Sequence, residues 1–166
     1  MAIGMADLHK AINTAWDAST LDATFKALWS DPTDTEFFVL NDQEAPGEQP
    51  FPYVVMDQTM SSTSNRMSGG ITSLREIRNI EIRFNIHTRD IDSDGRTAKT
   101  IASVLAEEIM KVFGGHPTVT PTGAITLDNG KHLITTYTNG FSIRTEEDQC
   151  QWVLVYVFKI DVPVAV

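Results

Sequence analysis

Residues 80–86 alternate: Ile80, Ile82, Phe84 and Ile86 are apolar, and Glu81, Arg83 and Asn85 between them are polar. A period of two marks a strand with one face in a core and the other toward solvent. Over residues 97–113 the period lengthens. Ile101, Val104, Leu105, Ile109, Val112 and Phe113 make one stripe with Glu107, Glu108 and Lys111 outside it, the mark of an amphipathic helix. Gly114-Gly115 then ends that helix in the left-handed manner. Near the start, Leu8, Ile12 and Trp16 recur every four residues, with Ala11 and Ala15 filling the same face, so a first helix is predicted there. Ser19-Thr20-Leu21-Asp22 has the form of a capping box opening a short second helix. Its buried face would be Leu21, Phe25, Leu28 and Trp29, and Asp31-Pro32 would stop it, because a residue before proline is pushed out of the α region.

The remaining segments read as β. Residues 37–40 predict a short strand and residues 53–58 another, entered through QPFP. Pro50 and Pro52 fix φ and lack a backbone donor, which suits the start of an edge strand and would anchor Phe51 and Tyr53 at the lip of a sheet. Residues 59–73 have no apolar period and carry Gly69-Gly70, so they predict a mobile loop or a long, weakly held hairpin. Asn129-Gly130, between Ile125 and Leu127 on one side and Leu133 and Ile134 on the other, is a type I′ hairpin signal. A strand over about residues 132–144 follows. In the last strand, 151–162, Trp152, Leu154, Tyr156, Phe158 and Ile160 share one face and Val153, Val155 and Val157 the other. That pattern predicts a central strand covered on both sides. With no internal repeat and no linker, the chain reads as one α+β domain over residues 1–166. Its sheet is mostly antiparallel, with N-terminal helix or helices and one central amphipathic helix packed on it.

Charge narrows the classes of partner. A net charge of −9 and a pI near 4.7 argue against a surface that grips nucleic-acid phosphates, which needs clustered Lys and Arg. Cys150 is the single cysteine, so no internal disulfide forms, and its place at the mouth of an apolar strand reads as a reduced, half-buried thiol. The N-terminal residues have no apolar signal region, and the longest strongly apolar run, 153–158, is far too short to span a bilayer. The expectation is a soluble protein made in the cytoplasm, with no membrane partner.

Candidate chemistry is sparse. DIDSDG, from Asp90 to Gly95, matches the opening of a calcium loop, but Ile101 stands where the bidentate acid belongs and a strand precedes it. A solvated acidic turn, with Asp92 or Asp94 capping the next helix, is the stronger reading. His9, His87, His116 and His132 lack metal-ligand spacing. His87 and Asp90 read as an exposed pair in preference to an acid–base couple. No nucleophile or phosphate-binding motif occurs, so no catalytic residue, metal or cofactor is assigned and the chain is read as non-enzymatic. Met60, Arg66 and Met67 lie among small polar residues in 59–73, where adaptable methionines suit a contact surface and an ordinary surface loop fits equally.

Several stretches together carry a resemblance: LDATFKALWSDP closing the N-terminal helical segment, FPYVVMDQ entered through a proline-rich loop, IEIRFNIHTRD running through an acidic turn into AKTIASVLAEEIMKVFG, and the closing QWVLVYVFKIDVPV. In this order they resemble the tail-terminator or tail-completion (neck) proteins of long-tailed bacteriophages, over most of the chain. The resemblance implies a homohexameric ring that caps the tail tube, ends its polymerisation and docks the tail to the head connector. The implied partners are a second copy of the chain, the tail tube protein and the head–tail connector proteins. Genomic DNA would pass through the ring without specific binding, and the protein would reside in the virion neck after assembly in the host cytoplasm. An acidic wall that repels phosphates suits such a channel. The residues expected at the subunit or tube interface are Phe51, Tyr53, Met60, Arg66, Met67 and Asn129. Another head–tail adaptor, or a small oligomeric α+β enzyme or ligand-binding domain, are the competing readings.

Overall fold

Tyr156 organises the interior. Its ring is ringed by Phe84, Phe113, Tyr137 and Phe158, with centroids 5.6, 6.3, 5.5 and 6.5 Å away, and its hydroxyl donates to the Gly114 carbonyl at 2.8 Å. These contacts join the central strands to the end of the longest helix. They are seen in a computed structural model that describes residues 5–28, 38–40, 51–68, 74–91, 95–119, 125–126, 132–144 and 146–164.

The elements run α1 (Met5–Asp17), α2 (Leu21–Ala27), β1 (Phe38–Leu40), β2 (Tyr53–Ser68), β3 (Leu74–Arg89), α3 (Ala98–Phe113), β4 (Ile125–Thr126), β5 (His132–Arg144) and β6 (Gln149–Val164). The sheet order is β1-β2-β3-β6-β5-β4. The four long strands β2, β3, β6 and β5 pair antiparallel throughout, so the fold is the α+β arrangement the sequence predicts. β4 pairs antiparallel with the start of β5, and β1 is parallel to β2.

One sheet face is packed. Val54 and Met56 of β2, Ile80, Ile82, Phe84 and Ile86 of β3, and Leu154, Tyr156 and Phe158 of β6 are buried there under the helices. α3 lies on β3, β6 and β5, with α2 against α3 and α1 against α2 and β4. Trp16 of α1 packs its ring on Phe25, centroids 5.6 Å apart, and donates its indole N–H to Asp22 at 2.7 Å. That contact replaces the expected capping box. Thr20 is the N-cap and makes no side-chain cap bond, while Ser19 accepts from the Leu21 N–H at 3.1 Å. Trp29 and Asp31-Pro32 lie outside the described residues.

The α3 stripe is rotated from the one expected. Ala98, Ala102 and Ala106 are buried beside Ile101, Leu105, Ile109 and Phe113, and Val104 is 40% exposed. Small residues let the helix approach the sheet closely, so the alanines face the sheet and the β-branched Val104 turns outward. Its start is held by Thr97, which accepts from the Thr100 N–H, and by Asp90, which accepts from the Ala98 N–H at 2.5 Å. Asp92 and Asp94, the caps expected, lie outside the described residues. At the other end Gly114 has φ 107° but ψ 165°, so the helix ends at a positive-φ glycine outside the left-handed helical region expected.

Two strand expectations are corrected. The start of the strand expected at residues 53–58 is not an edge, because β1 pairs with Val54, Val55 and Met56. Pro52 precedes the first strand residue, where a missing N–H removes no ladder bond whether the strand is at an edge or inside. Of the two readings of 59–73, the hairpin is the one seen. Residues 59–68 continue β2 against β3, down to Ser68 opposite Leu74, with a register shift between Ser61 and Asn65. The strand outruns the described core, whose last buried residues here are Met56 and Ile80. Residues 59–68 show no alternation of apolar and polar positions, so no period of two marked the strand in the sequence.

Candidate interaction surface

The register that packs one face of the sheet arranges the other in rows. Tyr53, His87, Gln151 and Ile143 lie side by side across β2, β3, β6 and β5. The next row is Val55, Asn85, Val153 and Phe141, and the third is Asp57, Arg83, Val155 and Asn139. All of the described helices pack on the opposite face, so covering on both sides, as expected for β6, is not provided by the described elements. Val153 is nevertheless buried, while Val155 and Val157 are only half-buried.

Charge divides this surface. On the β5–β6 side Asn139, Phe141, Ile143, Gln151, Val153, Val155 and Val157 form a patch without an ionisable group, which ends at the exposed Lys159, the next β6 position on this face. Phe141 and Ile143 are each 44% exposed. On the β2–β3 side charged groups are present, and Arg83 donates through two nitrogens to Glu81, at 2.9 and 2.8 Å. Between the two sides a polar bridge runs from the first row to the second, Gln151 donating to the Asn85 side chain at 3.2 Å and Asn85 to the Val55 carbonyl at 3.3 Å. An apolar, uncharged centre beside a polar margin is the composition of a protein-contact surface.

One corner of the face is aromatic. Arg89 sits over the Phe51 ring at 4.9 Å, Phe51 packs on Tyr53 with centroids 5.3 Å apart, and Tyr53 stacks on His87. Arg89 also pairs with Asp148 at 3.2 Å. Burial holds the Tyr53 phenol above its ordinary range and pushes the His87 imidazole below its own. Of the expected interface residues, Phe51 and Tyr53 are thus brought together on this face. Met60, Arg66 and Met67 are in strand β2 rather than a loop, paired in register with Ile80, Glu76 and Arg75. Asn129 lies outside the described residues; the flanking register, Ile125 with Leu133 and Thr126 with His132, is one residue away from what a two-residue Asn129-Gly130 turn requires. Sequence reasoning missed Phe141 and Ile143. Their alternation with Gly140 and Ser142 was the available signal, a strand whose apolar positions fall on the side away from the helices.

His87 and Asp90 do not form a pair: His87 is half-buried on this face, and Asp90 turns to the α3 N-terminus. A cleft of about 490 Å³ lies beside that N-terminus, lined by Asp90, Thr97, Lys99, Ser142, Asp148 and Cys150 among others. Cys150 is buried against Ala98 and Ala102, and burial raises its thiol pKa while Lys99 opposes that shift, so the thiol is protonated and shielded. Among the described residues no group of three or more His, Cys, Asp or Glu is placed to hold a metal ion, and no helix is long and apolar enough to cross a membrane. No protein-family model matches the chain, and no curated protein matches it in sequence.

Proposed function

We propose that this chain is a structural subunit of a bacteriophage or prophage tail, a tail terminator that assembles into a ring, hexameric by resemblance, caps the tube and offers a face to the head connector. The observation that carries the reading is the uncharged patch on the β5–β6 side of the open sheet face, with Phe141 and Ile143 exposed. It is broad and built on rigid strands, which suits contact with another protein better than it suits turning over a small molecule. The acidic balance supports the channel role, because a wall of like charge lets a phosphate backbone slide. Its place in the virion, and its partners beyond a second copy, rest on the order of sequence segments that resembles the neck proteins.

The test is a termination assay. Tube subunits from the phage or prophage that encodes the chain are polymerised with and without the purified protein, and tube length is measured by electron microscopy. Short tubes bearing a terminal cap are expected. Tubes of unchanged length and bare ends would refute the reading.

A further inference from the structure

The sheet has two sides on which a neighbour could be added, and their hydrogen-bonding stretches match. On β2 the outer edge is taken by β1 only at Val54, Val55 and Met56, so among the described residues it is open from Asp57 on, and the register shift after Ser61 ends its first regular run at 57–61. On β5 the outer edge is taken, among the described residues, by β4 at His132 and Leu133 alone, and a second register shift, between Tyr137 and Asn139, opens a regular run at 139–144. Bulges and short covering strands are how sheets limit pairing along an edge, and here they divide each edge into short runs, 57–61 on β2 and 139–144 on β5 among them.

The β5 run shows its openness directly. The Gly140 N–H is satisfied by the carbonyl oxygen of the neighbouring Asn139 side chain, at 2.8 Å on the exposed surface. A side chain is standing in where a strand would otherwise accept. With backbone groups alternating in direction along an antiparallel strand, Ser142 and Arg144 point their N–H the same way as Gly140. Phe141 and Ile143, exposed on the face beside this edge, would pack against the side chains of an added strand.

Strand direction selects the partner. β2 is antiparallel to β3, β3 to β6 and β6 to β5, so β2 and β5 run in opposite directions. A second copy set beside the first in the same orientation therefore brings its β2 antiparallel to β5, continuing the alternation already present, with packed face beside packed face. We infer that the 139–144 edge of β5 receives the 57–61 edge of β2 from a second copy of the chain, displacing the Asn139 side chain from Gly140. The interface is heterologous, each copy using one edge to give and the other to receive, and repeats around a closed assembly. This rests on the ring-forming reading and names the surfaces that would close the ring.

The experiment compares the wild-type chain with Ser142→Pro by sedimentation velocity over a wide concentration range, and follows amide exchange in the wild type when dilute and when assembled. Proline removes one outward N–H and no bond to β6, so S142P should keep the wild-type circular dichroism spectrum and lose about tenfold in association. Exchange should slow on both 139–144 and 57–61 upon assembly. Wild-type assemblies in which neither run gains protection would overturn the edge pairing and leave a ring built through other surfaces. Dimers protected on 139–144 alone would overturn the β2 assignment in favour of β5 against β5. If S142P fails to fold, the wild-type exchange pattern decides alone. A chain that never associates, in solution or on tubes, overturns both this inference and the ring reading.

Discussion

Tyr53 stacks on His87 with 4.7 Å between ring centroids and 12° between planes, joining the first residue of β2 to β3 across the open sheet face. Gln151 lies on the other side of His87 in the same row, and Arg89 lies two residues along its strand. Burial makes the charged imidazole costly, so the folded chain binds its proton at lower pH than the unfolded chain does.

The sign follows. At pH above the ordinary histidine value of 6.5 both states are neutral and the stack contributes in full; as pH falls toward the lower folded value, the unfolded state takes up the proton first and stability is lost. His87→Phe keeps a ring on Tyr53 and cannot titrate. Denaturant unfolding of both proteins between about pH 8 and 5 should show a steeper loss for the wild type. Parallel curves would contradict this account of His87.

Two glycines separate backbone strain from crowding. Gly95 has φ +70° with open space where a Cβ would go, whereas Gly115 has φ +98° and a Cβ there would lie 2.6 Å from Cγ of Tyr137. Gly95→Ala should cost about 1–2 kcal/mol from the backbone alone. Gly115→Ala should cost about 1–3 kcal/mol more, because the Tyr137 ring must move within a packed core. Equal costs in equilibrium unfolding would mean that Tyr137 yields freely.

Two buried hydroxyls hold the ends of α3. Thr88 is fully buried, its hydroxyl 2.7 Å from the Ala98 carbonyl and 3.2 Å from that of Cys150; at the far end Tyr156 donates to Gly114. Thr88→Val and Tyr156→Phe each leave buried carbonyls without that donor, and each should lower stability by about 1–3 kcal/mol in chemical unfolding. Neither hydroxyl lies on the open face, so association should be unchanged once the variants are folded.

The reverse holds for the open face. Phe141→Lys with Ile143→Lys changes exposed positions, so the folded chain should lose no more than about 1 kcal/mol. Self-association or tube binding should fall sharply, because an apolar contact surface now carries two like charges. A double variant that associates like the wild type would remove this face from the interface.

Much of the fold was legible because burial writes itself into sequence. The alternation from Ile80 to Ile86 and the stripe through Ile101, Leu105 and Ile109 mark residues that face a single core, and the structure buries them. Residues 59–68 carry no such alternation, so the outer arm of β2 read equally as loop or hairpin. The parallel strand β1 was unreadable as such: Phe38, Val39 and Leu40 declare a strand and say nothing about its neighbour. Phe51 and Tyr53 were found through their prolines. Phe141 and Ile143 were passed over because exposed apolar residues on a strand look like core until the helices are known to lie on the other face.

The central claim, that the chain is a ring-forming neck subunit, is tested most directly by negative-stain imaging with light scattering of the pure full-length protein, alone and with tail tubes. The account predicts closed rings of six-fold symmetry with a channel wide enough for duplex DNA, free in solution or seated on tube ends. Strict monomers at high concentration that also leave tube ends bare would contradict it.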